Sequence, residues 1–554
     1  MNTPGNQAAQ AGRADAGLYD LLVIGGGING AGVARDAAGR GLSVALCEQH
    51  DFAGATSSAS TKLIHGGLRY LEYYEFRLVA EALSERERLL DIAPHIAWPL
   101  RFVMPHVDGL RPRWMIRLGL WLYDHIGGRI TLPKSRAVRL DRMAHASGLL
   151  PAITRGFAYS DAWVDDARLV ILNLLSAQEH GADILPRTRL ADARRVENQD
   201  GGDNHWLCTL EDVSSGEHRS VKARAVVNTA GPWVAQMDHQ LNADDGETAR
   251  HAAVKLVRGS HIVVPRLFDG EHAYILQNDD KRIVFMIPYE ERYTLIGTTD
   301  VPQENMNHGA RISAEEEAYL LRAVNRYLAR PISAADIAWR YAGVRPLFDD
   351  ESDNPSAVTR DYTLVLQERR GLPCVSVYGG KITTYRRLAE SVLDKLAPWM
   401  QDRSRRAGWS ATEALPGAGF RRADRQREVT RLQTRYAGLD AHFLARLFSR
   451  HGLNCRQILR AAQSMAELGR DFGGGLTQRE VEYLVEHEWA READDVLWRR
   501  TKCGLHMSEA QRAEFGAWFR GWFAAYRAGR PAPGRRLRTG LTRPGADAQV
   551  SRRW

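Results

Sequence analysis

Tyr19-Asp20-Leu21-Leu22-Val23-Ile24-Gly25-Gly26-Gly27-Ile28-Asn29-Gly30 is the stretch that decides the fold. The apolar run predicts a strand, and the G-x-G-x-x-G that follows predicts a tight turn opening a helix. Gly25 makes the turn, Gly27 leaves room for a phosphate against bare N–H groups, and Gly30 lets helix and strand pack closely. A phosphate there lies at the positive end of the helix dipole. A helix is expected from Ala31 to Gly39 and a second strand from Ser43 to Cys47, followed by Glu48. That acid stands about 20 residues past the turn, where a carboxylate accepts hydrogen bonds from ribose hydroxyls. Alone the glycines are a weak signal. With strand, helix, strand and acid in order, they predict an adenine dinucleotide site.

A chain of 554 residues is too long for one core, so two or more domains are expected. Apolar and charged fractions of 44% and 26% are those of a soluble globular protein. Seven arginines against Asp547 lie between Ala528 and Trp554, so the tail carries +6 of the net charge of +8. The basic balance therefore describes a solvated, disordered end and gives no argument for nucleic-acid binding. Five cysteines are scattered singly without a C-x-x-C pair, which argues against a metal site or a disulfide framework and fits a reducing compartment. The start lacks the apolar core of a signal peptide, and no stretch approaches the ~20 apolar residues of a spanning helix. The expectation is cytoplasmic, with a membrane surface left open.

Residues 1–18 read as a disordered leader. Over 19–400 short strand-like runs alternate with helical stretches, among them a helix from Glu72 to Leu90 and another from Asp166 to His180 closed by Gly181. The Pro/Gly-rich end of 401–419 marks a linker, 420–527 is helical in pattern, and 528–554 is the basic tail.

Five further segments carry candidate chemistry. Ala55 to Leu71 offers small hydroxyl residues (Thr56, Ser57, Ser58), His65, the pair Gly66-Gly67, Arg69 and Tyr70. Such residues bring backbone donors near a ligand without bulk, and an ordinary polar loop is the open alternative. Asn228-Thr229-Ala230-Gly231-Pro232-Trp233 ends a strand in small residues, permitting close approach to a cofactor at the sheet's carboxyl edge. Arg345 in Tyr341 to Leu347, and Arg360 in Thr359 to Tyr362, offer rigid forks of donors for phosphate or carboxylate oxygens. Val377 to Arg386 contains Gly379, Gly380, Lys381 and Thr383 after a strand, again directing N–H groups at an acceptor.

Together these segments resemble the D-amino-acid-oxidase-like flavoproteins. Within them, Thr61 to Glu72, Gly259 to Pro265, Gly297 to Asp300 and Gly343 to Leu347 resemble the aerobic FAD-dependent glycerol-3-phosphate dehydrogenase family, from about Asp20 to Gly504. The resemblance implies an α/β (α+β overall) fold: a Rossmann-like FAD-binding domain, an inserted antiparallel-sheet substrate domain and a C-terminal all-helical cap. It implies FAD held by Gly25, Gly27, Asn29, Gly30, Glu48, Thr56, Ser57, Ser58, His65, Gly66, Gly67, Gly231, Gly380, Lys381 and Thr383. Substrate glycerol 3-phosphate would meet Arg69, Tyr70, Arg345, Arg360 and Lys381, with His65, Arg345 and Lys381 as the catalytic set. His65 is the first choice of base, since a neutral imidazole takes a proton near pH 7; a structural His65, and an arginine-stabilised alkoxide whose proton goes to water, stay open beside it.

The implied reaction oxidises sn-glycerol 3-phosphate to dihydroxyacetone phosphate and passes electrons to membrane quinone, with oxygen the rival acceptor. Leu110 to Tyr123 mixes arginines with tryptophans and aliphatics: Arg113 and Arg117 share one helical face, Trp114, Leu118 and Trp121 another. This is the composition of an interfacial helix on the inner face of the cell membrane, and a core helix with snorkelling arginines would look similar. No nucleic-acid partner is expected, and the oligomeric state stays open, a homodimer being one option.

Overall fold

The computed structural model describes residues 18–107, 112–128, 130–142, 147–197, 204–243, 254–280, 282–307, 309–348, 361–400 and 407–529. The leader, most of the basic tail, Arg360 and the first residues of the basic aromatic segment lie outside the described residues.

Leu18–Ile24 forms the predicted strand, hydrogen-bonded in parallel to Val44–Glu48 on one side and His218–Asn228 on the other. Asp183–Pro186 and Leu372–Tyr378 extend this parallel core at its two edges. Central parallel strands are buried on both faces, which is why Leu21 to Val23 read as one apolar run. Leu21 and Val23 pack on the helix side, Leu22 and Ile24 on the other. The helix Ile28–Gly39 begins three residues earlier than the sequence suggests, because the glycine turn itself feeds its first turn. It packs against the helices Asp166–Glu179 and Tyr385–Leu396. The opposite face is covered by the antiparallel strands Thr188–Val196 and His205–Asp212, with Trp206 fully buried between them and the sheet.

A second, ten-stranded sheet is antiparallel except where His272–Gln277 runs parallel to Ala97–Pro105. Its longest pairing joins Val254–Pro265 to Trp339–Phe348 and sets Val257 opposite Arg345, Gly259 opposite Gly343 and His261 opposite Tyr341. The helices Phe76–Ile92 and Arg113–Ile126 cover one face through Val79, Leu83, Ile116 and Leu120. The helix Ala314–Asn325 covers the other through Leu320 and Val324. Phe76–Ile92 starts later than Glu72, because a tight turn over Leu68–Tyr73 precedes it.

From Arg425 to Ala528 the described chain is helical, around a core that includes Phe443, Leu444, Leu484, Phe515 and Phe519. Buried ion pairs fasten it to the body: Arg168 with Glu488, and Arg500 with Asp51 at 2.7 Å through both guanidinium nitrogens. Mixed α/β architecture with a helical C-terminal region is the fold expected from the sequence.

Candidate active site

The strand-to-helix turn behaves as its glycines require. Gly25 has φ +107°, and a Cβ on it would sit 2.5 Å from the Thr229 carbonyl oxygen. A Cβ on Gly30 would come to 2.0 Å from the Gly25 carbonyl oxygen, which is the close helix–strand approach. Among the described residues, a Cβ on Gly27 would meet only Ser57 Oγ, at 3.1 Å, so this residue opens onto space. No side chain caps the helix at Gly27 and no acid sits in its first turn, leaving its positive end suited to an anion.

Two cavities meet at this turn. One of about 210 Å³ lies between Gly25, Glu48, Leu190 and the segment Thr229 to Trp233. The other, about 290 Å³, runs past Asn29 and Thr61 to His65, His261, Arg345 and Lys381. Gly27, Thr56, Ser57, Thr229 and Gly231 line both, so the two form one elongated trench. Glu48 closes the first: its carboxylate accepts from the N–H of Gly26 and of His50, each at 2.7 Å. Burial raises its pKa, and those two donors oppose the shift. It thus holds the turn as well as facing the cavity.

The loop after Glu48 spans the trench. Ser57 Oγ accepts from the Ile28 N–H at 3.0 Å, Thr56 donates to the Val344 carbonyl at 2.6 Å, and Ser58 donates to the Ala55 carbonyl. At the far end Gly379 and Gly380 have φ of +74° and +94°. Asn29 donates to the Gly379 carbonyl at 3.2 Å, and its buried Oδ1 has no protein partner among the described residues. An orphaned buried acceptor beside a glycine-lined groove fits a bound ligand that supplies the donor.

The second cavity gathers most of the expected substrate residues. Lys381 Nζ lies 3.8 Å from the centre of the Tyr70 ring, and Tyr70 packs on Gly67, where a Cβ would meet the ring at 2.1 Å. The His65 N–H donates to Thr383 Oγ1 at 3.3 Å. Arg345 donates to Asp300 and, at 3.2 Å, to Thr298 Oγ1, and is 28% exposed. Its guanidinium occupies the space above Gly259, where a Cβ would stand 2.6 Å from Nη2. Arg69 lies on the Leu68–Tyr73 turn, but its side chain, like all of Arg360, is outside the described residues.

Two features escaped the sequence reading. His261 lines the cavity, stacks on Tyr341 at 4.7 Å, and contacts Thr61 Oγ1 through Nε2 at 2.9 Å. Burial beside Arg345 and Lys62 holds its imidazole well below the ordinary value, so it is neutral. Its place two residues from Gly259 on a strand, hence on the same face, is the signal that would have found it. Beneath the His65 loop, the Gly66 N–H donates to Tyr123 Oη at 2.8 Å, and that hydroxyl donates to Asp161 at 2.7 Å. Burial lifts Asp161 to about 6, against the pull of Arg86 and Tyr123.

Comparison with known proteins agrees with this geometry. The family of FAD dependent oxidoreductases matches residues 20–386, and the C-terminal domain of alpha-glycerophosphate oxidase matches 410–515. A glycerol-3-phosphate dehydrogenase of Pseudomonas aeruginosa is 53% identical, covering 90% of this chain and 95% of that one. D-erythritol 1-phosphate dehydrogenase of Brucella abortus is 49% identical, covering 90% and 97%. Among solved structures, glycerol-3-phosphate dehydrogenase from Bacillus halodurans, complexed with FAD, superposes with a TM-score of 0.69 at 24% identity, covering 91% and 94%. The fold, the dinucleotide trench and these matches have one conclusion: the chain belongs to the FAD-dependent oxidoreductases, in the glycerol-3-phosphate dehydrogenase family.

Proposed function

We propose that the protein oxidises sn-glycerol 3-phosphate to dihydroxyacetone phosphate. The observation that carries this reading is the convergence of Arg345, Lys381, His65 and His261 on the cavity continuous with the dinucleotide trench. Bound FAD supplies the two-electron acceptor for the carbon-2 hydrogen. Arg345, with Arg69 and Arg360 beside it in this reading, grips the phosphate dianion, for which a guanidinium fork is well shaped. Asp300 and Thr298 hold that fork in place. His65 takes the hydroxyl proton. His261 is a weak base, because burial beside Arg345 and Lys62 disfavours its protonated form, and it serves as a hydrogen-bonding wall on the substrate. Lys381 lines the same cavity as Arg345 and His65, where fixed positive charge favours a developing oxyanion. The same reading divides the chain into the FAD and substrate domains at 19–400, a linker at 401–419 and a cap at 420–527.

Electrons then pass to membrane quinone. Support comes from the helix Arg113–Ile126, which leaves Trp114 67%, Leu118 51% and Trp121 52% exposed on one face. Aromatic and aliphatic side chains beside Arg113 and Arg117 suit the plane of a bilayer interface, on the inner face of the cell membrane. No helix of the described residues is long and apolar enough to cross a membrane.

An oxidase reading has one observation in its favour: the match of residues 410–515 to a domain described for alpha-glycerophosphate oxidase. A four-carbon substrate likewise has the Brucella relative behind it. Anaerobic addition of glycerol 3-phosphate to the purified holoenzyme tests all three together. Rapid bleaching of the flavin absorbance, with erythritol 1-phosphate slower at equal concentration, is expected. Electrons should then transfer to a soluble quinone without stoichiometric peroxide in air. A flavin that stays oxidised removes the assignment, and peroxide matching substrate loss moves it to the oxidase.

A further inference from the structure

Between the second sheet and the helical C-terminal region lies a cavity of about 540 Å³, larger than either part of the trench. The strand ends at Trp98, Trp163 and Pro288 form one side, and the helices Arg425–Arg435 and Ala441–His451 the other. Six cationic side chains line it against four carboxylates.

Most of those cations are already matched. Arg450 makes a two-point pair with Glu480 at 2.8 Å, Lys62 pairs with Asp166 at 2.6 Å, and Arg266 with Glu271 at 2.9 Å. Arg446 stands 3.8 Å from Glu290. Arg425 differs. It bonds Ser449 Oγ at 2.8 Å and lies over the Trp98 ring, yet among the described residues no carboxylate comes within ion-pair distance. Its Nε is buried without a hydrogen-bond partner, and burial lowers its pKa. Lys502, only 2% exposed, reaches Asp165 at 3.6 Å and makes no hydrogen bond through Nζ among the described residues. The buried Tyr289 hydroxyl in the same wall is also unsatisfied. Buried donors without acceptors are costly, so a cluster of them around one cavity calls for an anion that supplies the acceptors.

We propose that this cleft binds a small phosphate ester, its dianion against Arg425 and Lys502 and its apolar body against the wall made by the packed rings of Trp98 and Trp163. The site is separate from the catalytic cavity but shares a wall with it. Lys62 lies over the Tyr341 ring that stacks on His261, and its partner Asp166 also accepts from Ser60, which lines the catalytic cavity.

Equilibrium dialysis of the holoenzyme against radiolabelled inorganic phosphate tests the site. Phosphate binding that survives Arg345→Ala but weakens by about tenfold or more in the double variant Arg425→Gln, Lys502→Gln is the expected result. Phenyl phosphate should compete for it more tightly than phosphate itself. Flavin content and glycerol 3-phosphate oxidation without added phosphate should not change in the double variant. Arg425→Gln alone, at a half-buried position, replaces the double variant if that chain does not fold, with the same loss expected. Phosphate binding untouched by these changes, or abolished by Arg345→Ala, overturns the proposal. Because the readout is binding, it stands or falls separately from the proposed oxidation.

Discussion

At Gly259 a side chain has no room. The register of Val254–Pro265 against Trp339–Phe348 puts Gly259 beside Arg345, and the arginine folds into the space a methyl group would fill. Gly259→Ala should therefore displace the guanidinium without touching the Gly25–Gly30 turn. Its expected effect is a higher KM for glycerol 3-phosphate at normal flavin content. Arg345→Ala removes the donors outright. A hydrogen bond to a charged group contributes about 1.5–3 kcal/mol, so KM should rise about 10- to 100-fold. Arg360→Ala, read as part of the same grip, should raise it in the same way. Steady-state kinetics beside flavin absorbance check all three, and wild-type KM in both arginine variants would refute the phosphate assignment. Gly30 is a different case: its Cβ would strike backbone at 2.0 Å, which no rotamer can relieve.

Elements carry the next level of the argument, and the helix Arg113–Ile126 has two faces with two jobs. Outward, Trp114, Leu118 and Trp121 face solvent; inward, Tyr123 holds Gly66 and Asp161. Replacing Trp114 and Trp121 with Glu should abolish co-sedimentation with anionic liposomes while soluble-acceptor activity stays. Retained sedimentation would mean that another surface makes the membrane contact. Tyr123→Phe breaks two buried hydrogen bonds at once and should cost about 1–3 kcal/mol in urea unfolding. It should also loosen the His65–Gly67 loop, read as faster flavin loss on dilution, an effect absent if the tyrosine only fills the core. How far these elements were legible follows from the length of chain each depends on. The Gly25–Gly30 turn, its strand and Glu48 fall within one βαβ unit, so local spacing sufficed. Asp161 gains its role only from burial beneath the His65 loop, which a single sequence does not display, whereas His261 shares a strand face with Gly259 and was within reach of the sequence. The helix start at Ile28 and the late start at Phe76 were missed because turn geometry, not apolar periodicity, sets them.

At the scale of the whole molecule, the helical C-terminal region is joined to the flavin side by charge as well as by apolar packing. Glu480 and Glu488 are fully buried, and both carboxyls titrate below their ordinary range: burial pushes each up, but Arg450 and His451 on Glu480, and Arg168 and His451 on Glu488, outweigh it. Glu480 is brought down to about 2 from 4.5. A carboxylate with a depressed folded value adds stability above its unfolded value and loses it as pH falls through the folded one. Glu480 alone thus contributes about 3 kcal/mol at neutral pH, fading between pH 4.5 and about 2. Asp161 acts in the opposite sense. Its folded value of about 6 lies above the 3.8 of the unfolded chain, so it costs stability as pH rises between those values. Thermal unfolding followed from pH 7 downward should first change little, then show early loss of the helical region below about pH 4.5. Arg168→Met leaves Glu488 buried without its guanidinium and should cost about 3–5 kcal/mol, whereas Arg168→Met with Glu488→Met should recover most of it. If the single variant unfolds as the wild type does, the Arg168–Glu488 pair does not hold the two parts together, and a helical region intact to pH 2 would show that Glu480, paired with Arg450 within that region, does not stabilise it.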